Sequence, residues 1–253
     1  MCRIICISDT HGLHTTMKHN LSEFIDLNKT NILIHSGDCT NMGRQKEVEE
    51  FVYWFQNLKG FDHKIFIAGN HDFAFENVNR PHHKGDYDWF HNLMSPENLS
   101  QSDVTYLEDS EMTIDFPEFS RPIKFYGTPW QPEFYNWAFN LPRFSKELEH
   151  IWLKIPDDTD ILITHGPPHG VRDFTNQYGT YVSVGSETLR HRIDEVNPLV
   201  NVYGHIHGAY GADYVKNTLF INASICDERY RPINKPIVVE LKEYYGEIVA
   251  VYL

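Results

Sequence analysis

The sequence has little positive charge. It contains 22 Lys and Arg residues against 35 Asp and Glu residues, which gives 253 residues a formal net charge of −13. Proteins that bind nucleic-acid polymers non-specifically use clustered Lys and Arg to release counterions from the phosphates. We therefore expect no polymer nucleic acid as a partner, and a phosphate ligand would need local positive charge, for which bound metal ions are the obvious source.

Cysteine pairs and long apolar runs are also missing. Cys2, Cys6, Cys39 and Cys226 form no CxxC pair and no dense framework, so free thiols in a reducing compartment are expected. No run approaches the roughly 20 apolar residues of a membrane span. The first eight residues lack the basic and long apolar regions of a signal peptide. These features predict a cytoplasmic protein with no membrane partner.

The remaining composition is that of a globular protein. Hydrophobic residues make up 41% and charged residues 23% of the chain, close to the averages for soluble domains. A chain of this length fits one domain, which we expect to span residues 1–253.

Short apolar runs that end in polar clusters predict the strands of the core. The first five such runs cover 3–8, 31–35, 64–68, 161–164 and 199–203. Further strands are predicted at 104–107, 112–116, 123–126, 218–221, 237–241 and 248–253.

Helical spacing of apolar residues predicts the elements that cover the sheets. It is found at 17–25, 48–58, 145–153 and 186–196, while 77–103 and 226–235 read as loops. The fold class is therefore α/β (α+β), with two mixed β-sheets packed as a sandwich and flanked by helices.

Five short polar motifs each follow a predicted strand. They are Asp9-Thr10-His11, Gly37-Asp38, Gly69-Asn70-His71-Asp72, His165-Gly166 and Gly204-His205-Ile206-His207. Each motif alone is weak, but five in order at strand ends, where α/β sheets gather their sites, form a strong joint signal.

Spacing within the motifs points to metal ligands. On an extended chain Asp9 and His11 lie on the same side and could bind one ion. His205 and His207 repeat this spacing, so they either share an ion or, if the chain bends there, bind two.

These motifs resemble those of the calcineurin-like metallophosphoesterase superfamily, whose pattern is DxH, GDxx(D/N), GNH(D/E), H and GHxH. Asn41 fills the last place of the second motif. The segments 127–132, 137–140 and 164–168 are similar to the narrower family of metallophosphoesterase-domain-containing proteins. The resemblance implies the calcineurin-like metallophosphoesterase fold.

The resemblance implies two divalent metal ions, with Mn, Fe and Zn as the leading candidates for this N and O ligation. One ion would be bound by Asp9, His11, Asp38 and His207, and the other by Asp38, Asn70, His165 and His205. Two such ions and two carboxylates leave about two positive charges, which would attract an anionic phosphate.

The implied reaction is hydrolysis of phosphodiesters or phosphomonoesters by a hydroxide shared between the two metals. The small phosphate-ester substrate would be tested first among nucleotides and cyclic nucleotides. His71 is outside the implied ligand set and is a candidate to protonate the leaving oxygen, with Asp72 orienting its ring or raising its pKa.

Alternative interpretations stay open. The same fold serves in binding or scaffold proteins, which tend to lose metal ligands, whereas this chain has lost none. A protein phosphatase is another alternative, and an assay of phosphopeptides against nucleotides would distinguish it. A purple acid phosphatase is disfavoured because its pattern has Tyr where this chain has Asn41.

Several side chains have a structural reading beside a functional one. His35 is a candidate to support a ligand or merely to pack, and Cys39 is expected to be structural. Aromatic residues that could wall a base-stacking pocket, or simply fill the core, are Trp130, Phe134, Tyr135 and Trp137. The oligomeric state cannot be read from the sequence.

Overall fold

The computed structural model describes residues 1–77, 86–95, 98 and 103–253. Its α-helices with described bounds are α1 (Gln45–Asn57), α2 (Asp86–Leu93), α3 (Lys146–Leu153) and α4 (Glu187–Val196). The strands in chain order are β1 (Cys2–Ile7), β2 (Thr30–Ser36), β3 (His63–Ile67), β4 (Val104–Tyr106), β5 (Ser110–Ile114), β6 (Ile123–Thr128), β7 (Gln131–Pro132), β8 (Asn140–Leu141), β9 (Ile161–Thr164), β10 (Phe174–Gln177), β11 (Thr180–Ser183), β12 (Val200–Tyr203), β13 (Gly211–Val215), β14 (Thr218–Asn222), β15 (Ile237–Tyr244) and β16 (Glu247–Tyr252).

Two six-stranded mixed sheets form the framework. The first has the order β16-β15-β1-β2-β3-β4 and the second the order β13-β14-β12-β9-β6-β5. The parallel strands are β1 to β4 in the first sheet, with β4 at its edge, and β6, β9, β12 and β14 in the second. Antiparallel strands lie at the other outer positions, so each sheet collects the carboxyl ends of its parallel strands at one edge. A parallel bridge between Ser8 and Ser224 joins the two sheets at that edge.

The core lies between the two sheets. Alternate residues of β1, β2 and β3, such as Ile4, Ile34 and Ile65, pack against Ile163 and Val202 of the second sheet. A second apolar cluster packs α1 on the outer face of the first sheet, and a third packs α3 and α4 on the outer face of the second. This is the predicted sandwich of two mixed sheets flanked by helices.

All eleven predicted strands are present, with ends that differ by up to three residues. Three of the four predicted helices are confirmed as α1, α3 and α4. In α4, Ser186 caps the first turn and Asn197 ends the helix in a left-handed conformation.

The helix predicted at 17–25 is wrong. The segment contains instead one 3₁₀ turn, Leu21–Phe24, and another, His14–Thr16, ends just before the segment. The Asn20 side chain accepts a hydrogen bond from the Ser22 amide and starts the Leu21–Phe24 turn, while the Lys18 amide donates to the Pro232 carbonyl. Apolar spacing persists, but these polar contacts divert the backbone from a continuous helix.

The loop predicted at 77–103 is wrong in part, because it contains helix α2. The rest of the prediction falls mostly on 78–85, 96–97 and 99–102, which lie outside the described residues. None of the helices in the described ranges has the length and apolar character that a membrane span requires.

Candidate metal centre

The five motifs meet at the common edge of the two sheets. Asp9, Asp38 and Asn70 follow β1, β2 and β3 of the first sheet. His165 follows β9, and the segment 205–207 follows β12 of the second sheet. Parallel strands end at the same edge, so segments far apart in sequence place their side chains together.

The first group of side chains consists of Asp9, His11 and His207. The Nε2 atoms of His11 and His207 lie 3.2 Å apart. Asp9 Oδ1 lies 3.3 Å from His207 Nε2 and 3.9 Å from His11 Nε2. One nitrogen or oxygen from each residue therefore faces a common point.

The second group consists of Asn70, His165 and His205. Asn70 Oδ1 lies 2.9 Å from His165 Nε2 and 2.8 Å from His205 Nδ1. His205 and His207 thus belong to different groups, as expected if the chain bends between them. The reason is local: His205 adopts φ 65°, so the chain turns and the rule for extended residues fails.

Asp38 lies between the groups. Its Oδ1 is 3.4 Å from His165 Nε2, and its Oδ2 is 3.7 Å from His11 Nε2. One carboxylate oxygen therefore faces each group, which is the arrangement that a bridging ligand requires.

Several residues with strained backbone lie at this edge. Asp9, His11, Asp38 and His205 all have positive φ, between 44° and 65°. Non-glycine residues keep such conformations only where the surrounding structure fixes them, and they cluster at functional sites.

Close approach explains the glycine of the last motif. A Cβ atom on Gly204 would lie 1.9 Å from Asp9 Oδ2 and 2.2 Å from Ser8 Oγ. Only glycine lets β12 pass this close to the carboxylate, so the sequence has Gly at this position for a steric reason.

Hydrogen bonds orient the histidine rings. His207 Nδ1 lies 3.1 Å from the Asp227 carbonyl, and His165 Nδ1 lies 3.0 Å from the Ser36 carbonyl. A neutral ring that donates from Nδ1 to a carbonyl presents the Nε2 lone pair to the site. His35, the predicted support, contacts Thr10 Oγ1 at 2.9 Å and so holds the loop between Asp9 and His11.

Several supporting groups were not found by sequence reasoning. Ser224 Oγ donates to Asp9 Oδ2 at 2.9 Å, and Asn222 Nδ2 donates to the Ile206 carbonyl at 2.9 Å. Asn222 directly follows the predicted strand 218–221, and Ser224 lies two residues further on. A polar cluster after a strand could therefore have revealed them. Asp227 and Ser36 act through backbone carbonyls, which leave no signal in residue type.

Burial and the mutual fields of these groups shift their pKa values. Burial alone would raise the pKa of Asp38, but the neighbouring His165 and His71 outweigh it and hold that pKa well below its ordinary value. Burial would lower the pKa of His165, but the charge of Asp38 outweighs it and raises that pKa to about 9. Burial lowers the pKa of His205 to about 3. The carboxylates are thus held charged and create a site that favours cations.

The donor set fits two metal ions. It contains two carboxylates, four imidazoles and one amide oxygen, all intermediate or hard ligands suited to Mn, Fe, Co, Ni or Zn. The Nε2 atoms of His11 and His207 face each other at a distance where two lone pairs would repel, unless a proton or a cation lies between them. Buried His11 Nδ1 has no hydrogen-bond partner among the described residues. No hydrogen bond at Nδ1 therefore decides which nitrogen of His11 faces the metal.

His71 lies beside the first group. Its ring nitrogen Nδ1 is 2.8 Å from the Asn41 carbonyl, and its backbone amide donates to Asp38 Oδ1 at 2.8 Å. The ring packs edge-on against His11 and stacks on Trp137 at 4.1 Å. A His71 nitrogen also lies within 4.8 Å of the ligand atoms of His11 and Asp38, so distance alone does not distinguish a ligand from a proton donor.

Asp72 does not orient the His71 ring, and that expectation is wrong. The Asp72 carboxylate is fully buried and accepts hydrogen bonds from the backbone amides of Cys39, Thr40 and Gly69. It also accepts from Thr40 Oγ1 at 2.6 Å and from the Cys39 thiol at 3.3 Å. Side chains of adjacent residues diverge, so Asp72 joins the loops that carry Asp38 and Asn70 instead.

A cleft of about 960 Å³ opens over both groups. Asp38, Asn70, His205 and His207 lie in its lining. Of the four aromatic residues that could wall a pocket or fill the core, Phe134, Tyr135 and Trp137 line the cleft. Trp130 packs against Phe139 in the core, which is the other alternative for this residue.

Comparisons with known proteins agree with this arrangement. The chain is 39% identical to human metallophosphoesterase domain-containing protein 1 over 94% of its own length and 71% of that protein. Its fold is similar to that of a phosphopantetheinyl hydrolase from Mycobacterium tuberculosis, with a TM-score of 0.56, 17% identity and coverage of 99% and 95% of the two chains. It is also similar to the sulfate thiohydrolase SoxB of Thermus thermophilus, with a TM-score of 0.51, 13% identity and coverage of 100% and 56%. At such identities the two solved structures support the fold alone.

A family model supplies the classification. The model described as calcineurin-like phosphoesterase matches residues 2–209, a range that contains all five motifs. The chain belongs to the calcineurin-like phosphoesterase family.

Proposed function

We propose that this protein is a dinuclear metal-dependent phosphoesterase that hydrolyses small phosphodiesters or phosphomonoesters with water. The observation that carries the proposal is the convergence of two ligand groups on opposite oxygens of Asp38 at the floor of an open cleft. Catalytic metal sites need protein ligands together with an open position, and the cleft supplies that opening.

The proposed ligands are Asp9, His11, Asp38 and His207 for one ion and Asp38, Asn70, His165 and His205 for the other. Two divalent cations held there would lower the pKa of water and offset charge on the phosphoryl oxygens during in-line displacement. Backbone carbonyls orient the His165 and His207 imidazoles, and neighbouring histidines hold Asp9 and Asp38 in their charged form.

His71 is the proposed proton donor to the leaving oxygen. Its Nδ1 is directed to the Asn41 carbonyl, and Nε2 has no hydrogen-bond partner among the described residues. Stacking on Trp137 holds the ring at the edge of the cleft, where it can reach an ester oxygen. A positioned imidazole of this kind contributes about 10²–10⁴ in rate.

The lining of the cleft suits a small substrate that carries an aromatic ring. Its aromatic rim includes Phe134, whose ring lies 6.0 Å from that of His205. Aromatic faces accept heterocyclic bases without sequence preference, so nucleotides and cyclic nucleotides are the first compounds to test.

The direct test is hydrolysis of p-nitrophenyl phosphate and bis(p-nitrophenyl) phosphate by metal-stripped protein, with and without added Mn. The Asp38→Asn variant removes the charge shared by both groups and should abolish metal-dependent turnover. Asp115→Asn is the matched control, because Asp115 is exposed and remote in sequence from all five motifs.

The outcomes separate the candidate functions. Turnover that requires metal and Asp38 supports the phosphoesterase and shows whether diesters or monoesters are preferred. Confirmed metal binding without turnover of any ester in a panel of nucleotides and phosphopeptides would contradict it and favour a phosphate-binding or scaffold role.

A further inference from the structure

The loop after β14 carries a tyrosine over the first ligand group. The Tyr230 ring lies 4.8 Å from the ring of His11 and 5.1 Å from that of His207, edge-on to both. Its centroid is 6.5 Å from that of His71. Tyr230 lines the cleft and is 46% exposed, so its contacts leave much of the side chain open to a ligand.

Backbone hydrogen bonds fix this loop. The Asp227 carboxylate accepts from the amides of Arg229 and Arg231, both at 2.9 Å, and from the Arg231 guanidinium. The Tyr230 amide donates to the Asp227 carbonyl at 2.8 Å, the same carbonyl that orients His207. The loop therefore positions Tyr230 and a candidate metal ligand together.

Tyr230 itself is strained. Its φ of 56° lies in the left-handed region, which disfavours residues with a Cβ atom. A half-exposed aromatic ring gains little from core packing, so packing does not account for the strain. Strained residues at a ligand-binding edge point to a functional constraint.

The Tyr230 hydroxyl is a free donor in a cleft whose described lining has little positive charge. It has no hydrogen-bond partner among the described residues. Arg143 is the one Lys or Arg in the described lining of the cleft, and it is already bonded to the Val184 and Gly185 carbonyls and to Glu187. His71 and Tyr230 both pack against His11 and so place side-chain donors beside the first ligand group.

We propose that Tyr230 is a substrate-binding residue whose phenolic hydroxyl donates a hydrogen bond to a phosphoryl oxygen of the ester, an inference that rests on the proposed function. The ring contacts to His11 and His207 hold the phenol beside the first ligand group. No proton is transferred in this role, because the phenol binds the oxygen and keeps its hydrogen.

The test compares Tyr230→Phe with Tyr245→Phe. Tyr245 also has positive φ, 53°, but it is fully exposed in the turn between β15 and β16. Inorganic phosphate is titrated calorimetrically into Mn-loaded protein, metal per chain is measured by elemental analysis, and kcat and KM are measured for p-nitrophenyl phosphate. Losing a hydrogen bond to a charged acceptor should raise the phosphate Kd about tenfold to a hundredfold in Tyr230→Phe, with metal content unchanged and the control equal to wild type.

A second variant separates binding from support of the ligands. Tyr230→Gly accepts positive φ and removes the ring. It should lose as much phosphate affinity as Tyr230→Phe while it retains metal. If Tyr230→Phe binds phosphate like wild type, or if Tyr230→Gly alone loses metal and affinity, the ring only packs against His11 and His207 and the proposal is overturned.

Phosphate titration also distinguishes this inference from the proposed function. A wild-type protein that binds phosphate through Tyr230 but turns over no ester would contradict the phosphoesterase alone. If the wild type is active and Tyr230→Phe keeps the wild-type phosphate Kd and KM, the result would contradict the role of Tyr230 but not the phosphoesterase. Absence of phosphate binding to the metal-loaded wild type would overturn the inference as well.

Discussion

Replacing Asp72 with asparagine tests whether this residue acts on His71 or holds the loops of the site. The carboxylate is fully buried and accepts from five donors. Oδ2 accepts from the Gly69 amide at 2.7 Å, and Oδ1 accepts from the Thr40 amide at 2.9 Å. In either orientation, the NH₂ group of the introduced side-chain amide would face at least one of these backbone amides, donor against donor.

The expected loss of stability follows from that count. A hydrogen bond to a charged acceptor contributes about 1.5–3 kcal/mol, so two such bonds lost in the interior correspond to roughly 3–6 kcal/mol. The free energy of unfolding of a typical protein is only about 5–15 kcal/mol. Asp72→Asn should therefore unfold at much lower denaturant concentration and bind metal more weakly, because the loops joined by Asp72 carry Asp38 and Asn70.

The assay is urea unfolding of metal-free protein, followed by metal titration under conditions where the variant is folded. Asp115→Asn is the control, since exposed substitutions usually change stability by less than about 0.5 kcal/mol. A variant that unfolds within about 1 kcal/mol of wild type and binds metal normally, yet has a reduced kcat, would refute this reasoning. It would return Asp72 to the catalytic role beside His71 that the sequence led us to expect.

Three further predictions concern single positions. His71→Ala should lower kcat about 100-fold or more while elemental analysis finds metal content unchanged, because the role proposed for the ring is proton donation and not metal binding. Gly204→Ala should cost about 1–3 kcal/mol in urea unfolding and weaken metal binding, because its Cβ would overlap Asp9 Oδ2. Burial raises the pKa of Glu108 to about 7, so its contribution to stability is present below about pH 4.5 and lost as the pH rises through 7. Glu108→Gln should therefore unfold like wild type at pH 4.5 and be more stable by up to about 3 kcal/mol at pH 8.

Each of these predictions has a contradicting result. Loss of metal in parallel with kcat in His71→Ala would make His71 a ligand. Normal metal affinity in Gly204→Ala would show that the backbone shifts without moving Asp9. An equal stability difference between Glu108→Gln and wild type at both pH values would show that Glu108 has no raised pKa.

The strands and the motifs could be predicted because their signals are local. Apolar runs such as 161–164 and the polar residues that follow them lie next to each other in the sequence, and strand ends in an α/β sheet converge without further information. The helix at 17–25 could not be predicted in this way, since apolar spacing does not register the competing hydrogen bonds of Asn20 and Lys18.

Pairing within the site depended on backbone conformation rather than residue type. The spacing of His205 and His207 allowed one shared ion or two, and only the positive φ of His205 places the rings in different groups. Asp72 follows His71 in the sequence, and this adjacency likewise led to a wrong expectation of contact, because the Asp72 side chain turns away from that of His71. Carbonyl supports such as Asp227 could not be predicted at all, because every residue has a carbonyl.

The charge of the protein links metal loading to phosphate binding. Without cations the site presents the carboxylates of Asp9 and Asp38, and the described lining of the cleft adds Glu133 and Glu228. Its one Lys or Arg, Arg143, forms a salt bridge with Glu187. A phosphate would therefore meet net negative charge in the metal-free protein, in keeping with a formal net charge of −13 over the whole chain. Two divalent cations bound as proposed would reverse the sign at the two carboxylates, so this cleft would attract the anion only when the metal centre is filled.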